Sequence, residues 1–456
     1  MNIPINGRIA IIDDQIKQAE PIINILSKRQ MPLTYFSGNP AFLPEIGNNL
    51  NDIRVLFLDI NLIDDSEHPN KVLKARLIPV LERVISEENY PYVLIYWTRH
   101  NGSEHKDLIE KEIFNNDLAN RKPIAFLSAI KGDYFNFDGS LTDDFNEKLD
   151  GLFDKIDNLI SQHPAYSHLI NWENQVHLSA DSTLQSIFSS YNDSEWDNNA
   201  NYTLNKLGEA YLGKHYKTAE IEEKIKGSFI SLSTVFKDIL EHNIQNQTIE
   251  NKDSLEYTED AVIKSINSLN LSLNTTNYVK EIAESGNVLE LQDKDSVFKK
   301  LLFNVLSFFN VIHSIKNENP DISQDILKKT ADKQFKEIRK EIEKVWRKIY
   351  VVVTPVCDFA QKKSAYDRVV KGVLIPKKYK EFIEDRSEAV FIIPFVIEID
   401  GIEYFLVLDF RYFITTDLTQ ENVSGLFRIR QELLSEIQSK LSRHINRQGI
   451  LLIDER

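Results

Sequence analysis

The chain has 456 residues and a net charge of −15, with 42% hydrophobic and 27% charged residues, the balance of a globular protein of roughly two to four domains. Its one cysteine, Cys357, excludes an intramolecular disulfide and a multi-cysteine zinc site, and the acidic balance argues against nucleic acid as a partner. No secretory signal is read in the first residues and no run approaches 18–20 apolar residues, so the expectation is a cytoplasmic protein without membrane spans.

An apolar run ending in acid comes first, Arg-Ile-Ala-Ile-Ile-Asp at 8–13. An amphipathic stretch follows at 15–30, then a short strand near 34–36. A second run ends in acid at 54–59, Arg-Val-Leu-Phe-Leu-Asp. A helical pattern at 71–87 precedes apolar runs at 92–98 and 123–130, and a further helix is expected at 145–161. Near-continuous apolar runs of this length predict strands buried on both faces. Alternating with helices, they predict a doubly wound parallel α/β domain over 1–162.

From about residue 165 Asn, Asp, Ser and Gln become frequent, and apolar segments at 219–241, 296–315 and 322–349 recur near helical spacing. The expectation is an all-helical middle region over 163–349. Residues 350–456 then predict a small α+β module. Tyr-Val-Val-Val-Thr at 350–354 and an apolar stretch at 389–399 read as strands, Asp400-Gly401 as a hairpin turn, and 404–410 as the partner strand. A basic helix is expected at about 424–446.

In an open parallel sheet, ligands bind at the carboxyl ends of the strands. Asp13 and Asp14 stand at the end of the first run, Asp59 ends the third strand, Thr98 the fourth, and Lys131 follows the fifth. One edge would then gather three carboxylates, a hydroxyl and an ammonium.

The stretches IAIIDDQ, VLFLDINL, VLIYWTRH and AFLSAIKG carry these residues in the order acidic pair, lone Asp, Thr, Lys. In that order they resemble the receiver domain of two-component response regulators, over about the first third of the chain. The resemblance implies that Asp59 is a phosphoacceptor, forming an aspartyl phosphate. It implies that Asp13, Asp14 and Asp59, with the backbone carbonyl of Asn61, hold Mg²⁺. Thr98 would hydrogen-bond a phosphoryl oxygen and Lys131 would pair with its charge. The donor would be a histidine kinase or a phosphotransfer protein, and the chain would act as a switch or a phosphoryl sink, with a homodimer as one form of output.

This chain departs from the family's pattern. The gaps between Asp59, Thr98 and Lys131 are longer than usual, with insertions expected near 64–70 and 101–120. Arg99 replaces a small residue, Gly132 the usual proline, and Ser128 the aromatic switch residue, while Lys122 stands near Lys131 as a second candidate. A receiver fused to an unfamiliar module is similar to bacterial phage-defence signalling cassettes.

Two further stretches carry open alternatives. At Cys357-Asp358 a thiol nucleophile with an acidic partner would make residues 350–456 an effector enzyme. No histidine stands between His313 and His444 to serve it, and the favoured reading is a small buried Cys after a strand beside a capping Asp358. Arg428, Arg430, Arg443 and Arg447 would bind an anion or form a solvated helix face. A third reading of the whole chain is an interaction protein whose receiver is silent.

Overall fold

The apolar runs of the first third become five strands: β1 (Arg8–Ile12), β2 (Leu33–Phe36), β3 (Ile53–Asp59), β4 (Val93–Thr98) and β5 (Ala125–Ile130). All pairings are parallel and the order is β2-β1-β3-β4-β5. The computed structural model describes residues 8–63, 68–98, 103–136, 140–188, 195–249, 266–293, 295–363 and 365–446.

Helices between and after the strands cover both faces. They are α1 (Ile16–Lys28), α2 (Asn70–Val84), α3 (Ser103–Lys106, continued by wider π-type turns over Asp107–Asp117) and α4 (Phe145–Ser161). Ile9, Ile11, Val55, Phe57, Val93 and Ile95 pack on one face with Ala19, Ile22 and Leu26 of α1 and Leu152, Phe153 and Ile156 of α4. Ala10, Ile12, Leu56, Leu58, Leu94 and Tyr96 pack on the other with Leu77, Val80 and Leu81 of α2 and Ile109 and Phe114 of the α3 segment. Side chains alternate across a strand, so covering both faces requires apolar residues at every position. Each fully buried aliphatic side chain contributes about 1.5–3 kcal/mol, which anchors the strand ends at a fixed edge.

The next helices are α5 (Pro164–Phe188), α6 (Trp196–Leu212), α7 (Ile221–Asn246) and α8 (Ile266–Asn274). Contacts divide the chain into two units, Met1–Ala200 with Leu232–Glu256, and Asn201–Ser231 with Tyr257–Arg456.

The expectation of an all-helical 163–349 is corrected by two strands, β6 (Thr275–Thr276) and β7 (Asn287–Leu291). Helices α9 (Val297–Val305), α10 (Phe308–Glu318) and α11 (Gln324–Val345) follow. The segment at 296–315 is two helices because Ser307 accepts a hydrogen bond from the Asn310 N–H and caps α10. The helical reading to residue 349 also ran too far, since Trp346 turns extended and β8 (Arg347–Val352) begins.

The rest of the second unit is α12 (Val356–Ala360), β9 (Asp367–Pro376), β10 (Val390–Ile392), β11 (Ile397–Ile399), β12 (Ile402–Thr416), β13 (Val423–Ile429) and α13 (Gln431–Ile445). The sheet runs β10-β12-β9-β8-β7-β13-β6 in antiparallel pairings, with β11 also on β12. The Asp400-Gly401 hairpin is present, with φ of 52° and 74° at the two turn residues. Gly372 lets β9 and β12 close, because a Cβ there would stand 2.6 Å from the Val407 carbonyl oxygen. The basic helix starts later than 424. Residues 423–429 are a strand on β7, and their Val-Ser-Gly-Leu-Phe-Arg-Ile sequence suits pairing better than helix.

Among the described residues, no helix is long and apolar enough to cross a membrane.

Candidate functional site

Parallel register sets the strand ends level. Ile12 lies beside Phe36 and Leu58, Asp59 beside Trp97, and Thr98 beside Ile130. Asp13 follows β1, Asp59 ends β3, and Lys131 follows β5. These three therefore share the carboxyl edge, and all are buried, with exposures of 0%, 5% and 3%.

The Lys131 ammonium is the hub. It donates to Asp59 Oδ2 at 2.6 Å, to Gln18 Oε1 at 2.7 Å and to Asp13 Oδ2 at 3.1 Å. The other carboxylate oxygens accept backbone donors. Asp13 Oδ1 takes the Gln15 N–H at 2.9 Å, and Asp59 Oδ1 takes the Asn61 N–H at 3.1 Å. These short loops thus turn back onto their own acids and hold them in place. The Tyr35 hydroxyl donates to the Asp13 carbonyl at 2.6 Å. Burial, then the charges of Asp13 and Asp14, push that phenol up to about 12, so it stays a donor at neutral pH.

Burial also pushes the Asp59 carboxyl above its ordinary value, and the Asp13 charge adds to the rise. The Lys131 charge and hydrogen bond and the Asn61 N–H work against it. Ligand oxygens of Asp13, Asp14 and Asp59 lie within 4.8 Å of one another, and Lys131 forms ion pairs with Asp13 and Asp59. Three hard oxygen donors at that spacing, with Asp14 only half-buried, fit a small divalent cation that keeps part of its water shell.

Other expected members are placed unequally. Thr98 closes β4, but its side chain and Arg99 lie outside the described residues, as do 64–67 and 101–102 of the expected insertions. Lys122 precedes β5, at the amino end of that strand, and donates to Asn115, so Lys131 is the lysine at the acidic edge. Ser128 is exposed on β5 beside Tyr96 of β4. The sequence reading missed Gln18 and Tyr35. Gln18 had a signal, since it shares the inward stripe of α1 with Ala19, Ile22 and Leu26.

In the second unit Cys357 is exposed, which corrects the expectation of a buried thiol. α12 is little more than one turn and its buried residue is Ala360. Cys357 Sγ contacts Asp358 Oδ1 at 3.8 Å, and Asp358 is itself engaged by Arg368 at 3.5 Å and Lys363 at 3.9 Å. Arg428 lies on β13 and Arg430 caps the following helix, so neither stands on the expected helix face. Arg428 pairs with Glu284 at 3.1 Å and donates to the Ser285 carbonyl, while Arg430 donates to the carbonyls of Ser272 and Thr275. Both guanidinium groups thus tie β13 to the segment before β7. Arg443 is exposed on α13, and Arg447 lies outside the described residues.

The sequence matches no family model, and no curated protein matches it significantly.

Proposed function

We propose that residues 1–162 are a receiver-like phosphoacceptor domain that takes a phosphoryl group onto Asp59 from a partner histidine kinase or phosphotransfer protein. The observation that carries this reading is the gathering of three carboxylates within 4.8 Å of one another, with Lys131 Nζ 2.6 Å from Asp59. The strand order β2-β1-β3-β4-β5 supports it, because that order places a ligand crevice at the carboxyl edge beside β1 and β3.

In this mechanism an Asp59 carboxylate oxygen attacks the phosphorus of a phosphohistidine. The P–O bond forms as the P–N bond breaks, and the imidazole leaves with the electron pair. Lys131 pairs with the charge on the phosphoryl oxygens. The Asn61 N–H and Lys131 favour the charged, nucleophilic form of the carboxylate and offset part of the rise that burial imposes. Asp13, Asp14 and Asp59, with the Asn61 carbonyl, would hold Mg²⁺, which when bound neutralises charge on the transferring group. The remaining residues, 163–349 and 350–456, pass the state on through protein–protein contacts in the cytoplasm.

A silent receiver used for docking is the second reading, favoured by the 5% exposure of Asp59. Acetyl phosphate with Mg²⁺, followed by intact mass, separates the two. The expected result is one phosphate-sized gain that requires Mg²⁺ and vanishes in Asp59→Asn. A gain that persists in Asp59→Asn would remove Asp59 as the acceptor, and no gain from either acetyl phosphate or a phosphohistidine donor would favour the silent domain.

A further inference from the structure

Gln18 is the polar member of an otherwise apolar stripe. α1 buries Gln18, Ala19, Ile22 and Leu26, so its first inward turn spends a core position on an amide. A buried amide is tolerated when its ends are hydrogen-bonded. Here Nε2 donates to Gln15 Oε1 at 2.7 Å and Oε1 accepts from Lys131 Nζ at 2.7 Å. An ammonium has donors only, so the amide oxygen must be the end that faces it. A lysine stem is flexible, and its ammonium is a point charge that several acceptors can share. Gln18 supplies a neutral acceptor beside the two charged ones, Asp59 at 2.6 Å and Asp13 at 3.1 Å.

We propose that Gln18 is a positioning residue that holds the Lys131 ammonium on the bridge between Asp13 and Asp59. The inference rests on the phosphoacceptor reading of the same site. On that bridge the chain's own cation occupies two of the three carboxylates that Mg²⁺ would use, so the anchor opposes metal binding. It also keeps the ammonium beside Asp59, where the phosphoryl charge arrives, so the anchor favours transfer. Removing it moves the two properties in opposite directions, whereas loss of a merely structural residue lowers both or neither.

Gln18→Met removes the amide while keeping length and volume. Mg²⁺ affinity is measured by calorimetric titration, and phosphorylation by acetyl phosphate at saturating Mg²⁺. The expected result is Mg²⁺ affinity higher by roughly three- to tenfold and a phosphorylation rate lower by a similar factor. Should that variant fail to fold, Gln18→Asn withdraws the oxygen by one methylene and serves the same comparison. A double-mutant cycle of Gln18→Met and Lys131→Met in urea unfolding gives a readout that needs neither metal nor phosphate, and additivity there would overturn the anchor. Wild-type protein that binds no Mg²⁺ and gains no phosphate overturns both readings. Wild type that does both, with Gln18→Met unchanged in both, overturns the role of Gln18 alone.

Discussion

Each unit of the molecule buries a lysine against acid, and the two sites are built differently. In the second unit, Lys371 on β9 donates to Asp295 at 2.7 Å and stands over the rings of Phe298 at 5.3 Å and Tyr350 at 5.4 Å. One ammonium meets one carboxylate, with aromatic faces completing its surroundings. Asp295 keeps contact with water, its side chain being 24% exposed, while that of Lys371 is 10% exposed. In the first unit, one ammonium meets two buried carboxylates and a third lies within reach. The balanced pair closes a core. The cluster, on an edge where parallel strands end, gathers three carboxylates and one ammonium among the described residues.

Removing each lysine sharpens that contrast. Lys131→Met leaves the acidic cluster without its buried counter-charge, and the expected loss is about 3 kcal/mol in urea unfolding. Added Mg²⁺ should restore part of it, because the metal supplies the missing positive charge. A loss that ignores Mg²⁺ would break the contrast. Lys371→Met should cost less, about 1–2 kcal/mol, because Asp295 can turn to solvent. Its stability should be the same with and without Mg²⁺, and phosphate uptake should not change.

The acid limb of the stability curve gives a smaller effect. Burial pushes the Asp295 carboxyl up, but the Lys371 hydrogen bond, the Val297 N–H and nearby ammonium charge outweigh it and hold the group below its usual range. A depressed carboxyl contributes stability above its unfolded pKa of about 4, and that contribution is lost as pH falls through the folded value. Thermal unfolding followed below pH 5 should therefore show a shallower acid loss in Lys371→Met than in wild type. A parallel pair of curves would mean that Lys371 is not what lowers Asp295. The smallest effect belongs to Cys357→Ser, within about 0.5 kcal/mol and with phosphate uptake intact. Loss of a cellular activity in that variant would revive the enzyme reading of the second unit.

Much of the first unit was legible because its signal is local. Runs such as 54–59 and 92–98 are apolar at every position, and that pattern has few solutions other than a strand covered on both faces. The acids were legible because each stands where such a run stops. The second unit resisted because its strands alternate, break and pair over long separations. β13 was absorbed into the helix that follows it, and β7 was hidden in a helical region, yet the two are neighbours. No local pattern carries the pairing of segments so far apart.

By itself the sequence determined that four apolar runs end near acid, hydroxyl or ammonium groups, and that one hairpin turns at Asp400-Gly401. Periodicity and turn chemistry are properties of a short window, so they survive without the rest of the chain. Only the tertiary structure decided that Lys131, and not Lys122, reaches the acids, that Gln18 faces inward to meet it, and that Arg428 and Arg430 are consumed by backbone carbonyls. Those outcomes depend on which strand end lies level with which, and on which face of a helix meets the sheet, and both are settled when buried area is maximised across the whole unit.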